Sequence, residues 1–193
     1  MGHKHHGKSS AKFLDSDEIL SELNLKGNES FLDAGCGDGF VSIKALEKYL
    51  PEGMVYAVDL FDESIKQLNE FKQKNDIENL VNIEADLTKG IPLDDGLIDV
   101  LFMLNVFHGF TSENRDDVIK ELIRLTKDDG KIAIMDFKPF DMPVGPPTEI
   151  RIPPNDLENM FKTHNLKKVY LNDEIGADFS EGKSHYLIIF EKE

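Results

Sequence analysis

Apolar and polar positions follow two rhythms along this chain. The first fourteen residues are basic and rich in His, Ser and Gly, with no apolar period before Phe13 and Leu14. They predict an irregular arm over 1–15. Ile19, Leu20 and Leu23 then share one helical face, which predicts a helix over roughly 16–24, capped by Ser16 and stopped by Gly27. Beyond it, short apolar runs alternate with helical spacing. Ser30–Ala34, Met54–Val58, Leu80–Glu84, Ile98–Leu104 and Lys131–Phe137 read as strands. Phe40–Leu50, Asp62–Lys74 and Asn114–Thr126 read as helices, the second with Ile65, Leu68 and Phe71 inward, the third with Val118, Leu122 and Leu125. A Pro-rich stretch from Lys138 to Pro154 breaks the alternation. Asn155 is then expected to cap a helix over roughly 156–164, and Leu166–Leu171 and Tyr186–Glu191 close the chain as strands.

Apolar strands alternating with helices predict an α/β domain over 16–193, its mostly parallel sheet covered on both faces. The last two strands lack a crossover helix, because 172–185 is polar and turn-like, so they are expected to form an antiparallel hairpin.

Charge narrows the partners. The 193 residues carry 22 basic and 37 acidic side chains, a formal charge of -15. Such a field repels nucleic-acid backbones, so no nucleic-acid partner is expected. No apolar run approaches the ~18 residues of a membrane span, and the start is too polar for a secretory signal, so a cytoplasmic protein without a membrane partner is expected. Cys36 is the only cysteine, which excludes an intramolecular disulfide and a multi-cysteine metal site. His3, His5 and His6 lie in the arm without further ligands at fixed spacing, and no metal site is assigned to them.

Open α/β sheets bind ligands at the carboxyl ends of their strands. After the first strand comes Asp33-Ala-Gly35-Cys36-Gly37-Asp38-Gly39. Three alternate glycines between a strand and a helix let the backbone turn tightly and approach a ligand. The free N–H groups of the helix start suit an anion such as a carboxylate. The spacing is G-x-G-x-G, not the dinucleotide fingerprint G-x-G-x-x-G, which argues against a nicotinamide oxidoreductase. Asp59, ending the second strand, has the geometry to accept two hydrogen bonds from vicinal ribose hydroxyls. Asp86, ending the third, is able to accept from an exocyclic amine such as that of adenine.

Taken in order, these segments resemble the class I S-adenosylmethionine-dependent methyltransferases. Asp33–Gly39 is similar to their first motif, Asp59 to the acid that holds the ribose, and Asp86-Leu87 to the pair that reads adenine. Asp99–His108 resembles the strand lining the methyl-transfer site, and Asp129–Met135 the turn and fifth strand. The arm and the loop Asp136–Arg151 resemble small prokaryotic members related to ubiquinone/menaquinone-biosynthesis and arsenite methyltransferases. The arsenite branch fits less well, because a soft ion calls for several thiols. The resemblance implies a Rossmann-like sheet of order 3-2-1-4-5-7-6 with strand 7 antiparallel. It implies S-adenosyl-L-methionine as cofactor, S-adenosyl-L-homocysteine as product, and a small-molecule methyl acceptor. Cofactor contacts are implied at Asp33, Gly35, Cys36, Gly37 and Gly39, at Asp59 and Leu60, at Asp86 and Leu87, and at Asn105.

Displacement at an activated methyl group needs chiefly in-line positioning. A base is required only where the acceptor must lose a proton. His108 follows the fourth strand and has a pKa class suited to that task; packing beside the cofactor is the other reading. Lys138 and Arg151 flank the Pro-rich loop, where they would either hold an acidic group of the substrate or stand as solvated loop charges. Phe107 would line the acceptor pocket or the core. The segment Asn105-Val-Phe-His108 is not the Asn/Asp-Pro-Pro-Tyr element of amide and nucleobase methylation. A cofactor-sensing module that transfers no methyl is the alternative function, and the arm is a possible lid.

Overall fold

The computed structural model describes residues 10–193. A single 3-10 turn, Ser10–Lys12, leads into α1 (Ser16–Glu22). Then follow β1 (Ser30–Ala34), α2 (Phe40–Lys44, continued by a π-helical turn over Ala45–Tyr49), β2 (Met54–Asp59), α3 (Asp62–Lys74) and β3 (Leu80–Glu84). The second half comprises β4 (Ile98–Leu104), α4 (Arg115–Leu125), β5 (Thr126–Phe137), α5 (Pro154–Lys162), β6 (Leu166–Phe179) and β7 (Gly182–Lys192). Among the described residues no helix is long and apolar enough to cross a membrane.

One seven-stranded sheet runs in the order β3-β2-β1-β4-β5-β7-β6. The pairs β1–β2, β2–β3, β1–β4 and β4–β5 are parallel, and β7 is antiparallel to both β5 and β6. The two-residue period of each strand divides its side chains between two cores. Phe31, Val100, Phe102, Ala133, Met135 and Leu187 face α1, α2 and α3, where Ile19, Leu20, Val41 and Leu68 are buried. Leu32, Leu101, Met103, Ile132, Ile134 and Tyr186 face α4 and α5, where Val118, Leu122, Leu157 and Phe161 are buried. Each such side chain contributes about 1.5–3 kcal/mol of burial, so strands apolar on both faces lock this layering.

Four expectations need correction. Asp15, not Ser16, caps α1: its side chain accepts the Asp17 N–H at 2.8 Å, while Ser16 is buried inside the first turn. The helix stops before Gly27, because Asn24 takes the left-handed conformation, φ 50°. Pro154 starts α5 at the position where its missing N–H costs nothing, so Asn155 lies inside the helix. The closing hairpin is much longer than expected, with only Ser180 and Glu181 between its strands. Three register shifts in β6 leave most of its polar residues exposed, so its pairing hides behind a turn-like composition.

Candidate active site

The carboxyl ends of β1, β2 and β3 build one half of the site. Gly35, Gly37 and Gly39 all take positive φ, at 83°, 54° and 78°. Their reasons differ. A Cβ on Gly35 would lie 2.4 Å from Val106 Cγ2, and one on Gly39 would lie 2.3 Å from Leu68 Cδ2. Those two glycines let the loop pack against the turn after β4 and against α3. A Cβ on Gly37 would meet nothing within 4 Å, so this part of the loop faces open space. The Gly35 and Cys36 N–H groups both donate to Val58 O, tying the loop to β2.

Asp59 anchors the loop from the next strand. Its Oδ2 accepts the Gly37 N–H at 2.8 Å and its Oδ1 accepts the Phe61 N–H at 2.9 Å. Each oxygen keeps a further lone pair for a hydroxyl donor. Leu60 follows, its side chain 56% exposed. At β3, Asp86 Oδ1 accepts from Thr88 N and Oγ1, and Oδ2 pairs with Lys89 at 3.0 Å. Burial opposes its charge, but these donors prevail and lower its pKa. Leu87 is buried in the α4/α5 core.

Asp33 stands behind the loop. It is buried, and its Oδ2 accepts Ser42 Oγ–H at 2.6 Å. Burial raises its pKa to about 7 against the Ser42 hydrogen bond, and the nearby Asp59 charge adds to the rise. Cys36 is buried too, and burial followed by the Asp33 and Asp59 charges pushes its thiol well up. It is held as a neutral thiol.

The ends of β4, β5 and β7 build the other half. Asn105 leaves β4 in the left-handed conformation, φ 59°, which asparagine tolerates better than most residues. Its Oδ1 accepts from His185 Nε2 at 3.0 Å, and its Nδ2 donates to Ser10 Oγ at 3.3 Å. His185 is buried, with Nδ1 2.6 Å from Ser184 Oγ. Burial lowers its pKa to about 4, against a rise from Asp136, with Arg151 and His108 lowering it further. It is thus neutral, donating from Nε2 and accepting at Nδ1. Phe137 lies against His185 with ring centroids 4.2 Å apart, and Phe13 from the arm packs on both.

His108, on a 3-10 turn after β4, is also buried. Its Nδ1 lies 2.7 Å from Asp136 Oδ1, and its peptide N–H donates to Asp136 Oδ2 at 3.1 Å. Asp136 also accepts the Phe137 N–H at 2.8 Å. Sequence reasoning did not single out Asp136 or His185. Their signal is a polar residue at the cleft end of an apolar run, in Ile-Ala-Ile-Met-Asp136 and in His185-Tyr-Leu-Ile-Ile-Phe.

Of the three residues expected to touch substrate, Phe107 and Arg151 are buried and Lys138 is half-buried. The Phe107 ring is in the core, edge-on to Phe110 at 5.9 Å and beside Phe161 at 5.5 Å. Lys138 pairs with Glu174 at 3.5 Å. Arg151 is buried, not solvated, and directs its N–H groups at the carbonyls of Pro146, Val144, Phe140 and Lys138. It clips the Pro-rich loop shut. His3, His5 and His6 lie outside the described residues, and among the described residues no group of three or more His, Cys, Asp or Glu could hold a metal.

The residues fit S-adenosylmethionine. Gly37 leaves open space at the turn, buried Asp59 keeps acceptor lone pairs beside it, and exposed Leu60 would offer an apolar surface to a planar base. Sheet order and glycine loop together define the class I S-adenosylmethionine-dependent methyltransferase architecture. Residues 25–190 match the family model described as "Methyltransferase domain", and the chain belongs to that family. The 27-O-demethylrifamycin SV methyltransferase of Amycolatopsis mediterranei is 25% identical over 130 residues, 67% of this chain and 46% of the relative. The arsenite methyltransferase of Halobacterium salinarum is 29% identical over 132 residues, 67% of this chain and 32% of the relative. The chain thus spans less than half the length of either. A solved S-adenosylmethionine-dependent methyltransferase from Aquifex aeolicus shares the fold, with TM-score 0.81, 24% identity, and coverage of 95% of this chain and 93% of that one.

Proposed function

We propose that this chain transfers a methyl group from S-adenosylmethionine to a small-molecule acceptor by in-line displacement. The observation that carries the reading is the Gly37–Asp59 relationship. One backbone turn presents an open glycine, and the strand-end carboxylate that fixes it keeps acceptor capacity at the rim. S-adenosylmethionine, when bound, supplies a methyl group already activated by the sulfonium. Gly35, Gly37 and the Asp59 carboxylate would hold it, with Leu60 against the base and Asp86-Leu87 at the edge. Asp33, Cys36 and Gly39 support the loop from behind. Asn105, fixed by His185, shapes the floor between the two halves.

His108 is the proton acceptor in this reading. Asp136 would accept the hydrogen bond of Nδ1–H, which leaves Nε2 as the basic nitrogen, and an imidazolium formed there would be stabilised by the buried carboxylate. Phe13 packs on Phe137 and His185, which supports a reading in which the arm limits water entry on the acceptor side. A small acceptor suits the acidic charge, and the two curated relatives carry small-molecule names.

The test uses cofactor labelled in the methyl group, incubated with the protein and a metabolite extract. Label is expected in a small-molecule fraction, and His108→Gln should reduce it about 10²-fold or more without weakening S-adenosylhomocysteine binding. Binding without any label transfer would favour the sensing module.

A further inference from the structure

Four large apolar side chains are exposed among the described residues. Leu60 is accounted for at the cofactor cleft. The other three are consecutive, Val169, Tyr170 and Leu171, at 44%, 39% and 37% exposure, and all lie on β6. β6 ends the sheet, so one whole side of its backbone has no strand beside it. It is fourteen residues long, against five for β3 at the opposite edge. Soluble proteins ordinarily keep edge strands short or cover them, because a long apolar edge is a template for pairing. From Lys167 to Leu171 β6 is exposed at every position, and only side-chain tips reach it from the sheet's two faces, Glu158 of α5 at Lys168 and Glu22 of α1 at the Tyr170 hydroxyl.

The charge order says what would cover it. Lys167 and Lys168 precede the apolar triplet, and Asp173 and Glu174 follow it. An antiparallel pair of identical strands with its twofold axis at Tyr170 sets Val169 against Leu171 of the second copy. It also sets Lys167 against Asp173, with Lys168 diagonal to Glu174. Each end of the pair then joins basic to acidic residues, and the apolar triplets meet at the centre. Register shifts at Val169 and at Asp173–Glu174 fall within the stretch, so regular pairing of two copies is confined to a few residues around Tyr170, with the charged residues meeting at its ends. A parallel pairing would oppose like charges throughout.

We propose that the exposed edge of β6 is a homodimer interface, in which two copies pair antiparallel around Tyr170 and extend the two sheets into one. The site ends of β5 and β7 lie beside this edge. Glu174, the partner of Lys138, belongs to the paired stretch, so the interface would reach the acceptor side of each cleft. The proposal is independent of the methyl-transfer reading.

Size exclusion with light scattering on the full chain tests it, at about 0.15 M salt, where a Debye length of about 8 Å screens the net -15 but not opposed pairs. At about 100 µM the unmodified chain should run as a dimer, as expected for a dissociation constant of about 10 µM. The variant Lys167→Glu/Lys168→Glu and the variant Asp173→Lys/Glu174→Lys should each run as monomers. Their equimolar mixture should regain the dimer, because opposite charges then face at both ends. The reversals set like charges against Glu191 and Glu158 in one variant and against Lys138 in the other, all on the surface, so a melt of each variant is read alongside to show that it is folded. A monomeric unmodified chain under these conditions overturns the proposal. So does a dimer that both variants retain, or a mixture that stays monomeric while each variant is folded.

Discussion

Asp136 holds His108 at two points, the ring Nδ1 at 2.7 Å and the peptide N–H at 3.1 Å. One buried carboxylate therefore sets both the tautomer of the imidazole and the turn that carries it. His108 lies on the turn after β4 and Asp136 near the end of β5, and the parallel pairing of these two strands brings them together. Asp136→Asn keeps the size of the side chain but turns its donor pattern around. Once an acceptor is in hand, it should lower turnover by about 10²-fold or more while leaving S-adenosylhomocysteine affinity unchanged. Steady-state rates beside calorimetry decide this, and equal turnover would remove Asp136 from the account.

The glycines of the loop separate folding from binding. Gly39→Ala would drive a Cβ to 2.3 Å from Leu68 Cδ2, at a φ that already disfavours a side chain. It should cost about 2–4 kcal/mol of stability by strain and displaced packing. Gly37→Ala meets nothing, so its cost should stay near 1 kcal/mol, the left-handed penalty. Its Cβ nevertheless enters the cradle. Thermal melts should rank Gly39→Ala as the less stable, and titration should find cofactor affinity reduced in Gly37→Ala although it folds.

Two buried groups oppose each other in the acid limb of stability. Asp33 has a folded pKa of about 7, raised chiefly by burial, so the folded state holds its proton longer than the unfolded chain does. Its contribution is fully present below pH 4 and fades as pH rises to 7. His185 has a folded pKa of about 4, lowered chiefly by burial, so its contribution is present above the unfolded value near 6.5 and fades as pH falls to 4. Between pH 4 and 6.5 the two slopes have opposite signs. Asp33→Asn should therefore steepen the rise of stability with pH, and His185→Gln should turn the same limb toward a fall. Urea unfolding at pH 4.5, 5.5 and 6.5 checks both, and parallel shifts without a change of slope would contradict the assignment.

Arg151 supports the loop that follows β5. Its guanidinium reaches carbonyls of Pro146, Val144 and Lys138, and it lies over the Phe137 ring at 5.6 Å. Arg151→Ala leaves those buried carbonyls without donors, at roughly 1–3 kcal/mol for an unsatisfied group. Amide exchange over 138–153 should quicken, while β1 and β4 stay protected. Unchanged exchange there would show that the prolines alone hold the loop.

The sheet and the glycine loop were legible because apolar strands and glycine spacing are local signals. The order of the strands was expected from resemblance and matches the structure. Less legible were contacts made between distant residues. Asp136 and His185 are single polar residues in apolar runs, and nothing local marks which partner each finds. Arg151 read as a substrate-binding or solvated charge because its carbonyl partners come from turns, which carry no side-chain signature. Phe107 was ambiguous for the opposite reason, since an aromatic residue after a strand fits core and pocket alike; its contacts with Phe110 and Phe161 place the ring in the core. The length of β6 was hidden because an edge ribbon with register shifts has no strict alternation.

Calorimetric titration of the full chain with S-adenosylhomocysteine tests the central claim most directly. The account predicts binding at a single site, and affinity reduced at least about tenfold in Asp59→Ala, because the carboxylate oxygens at the rim are lost along with the anchor of Gly37. The melting behaviour of that variant, read alongside, separates a lost ligand contact from a lost fold. No binding by the unmodified chain, or equal affinity in a folded Asp59→Ala, would contradict the account.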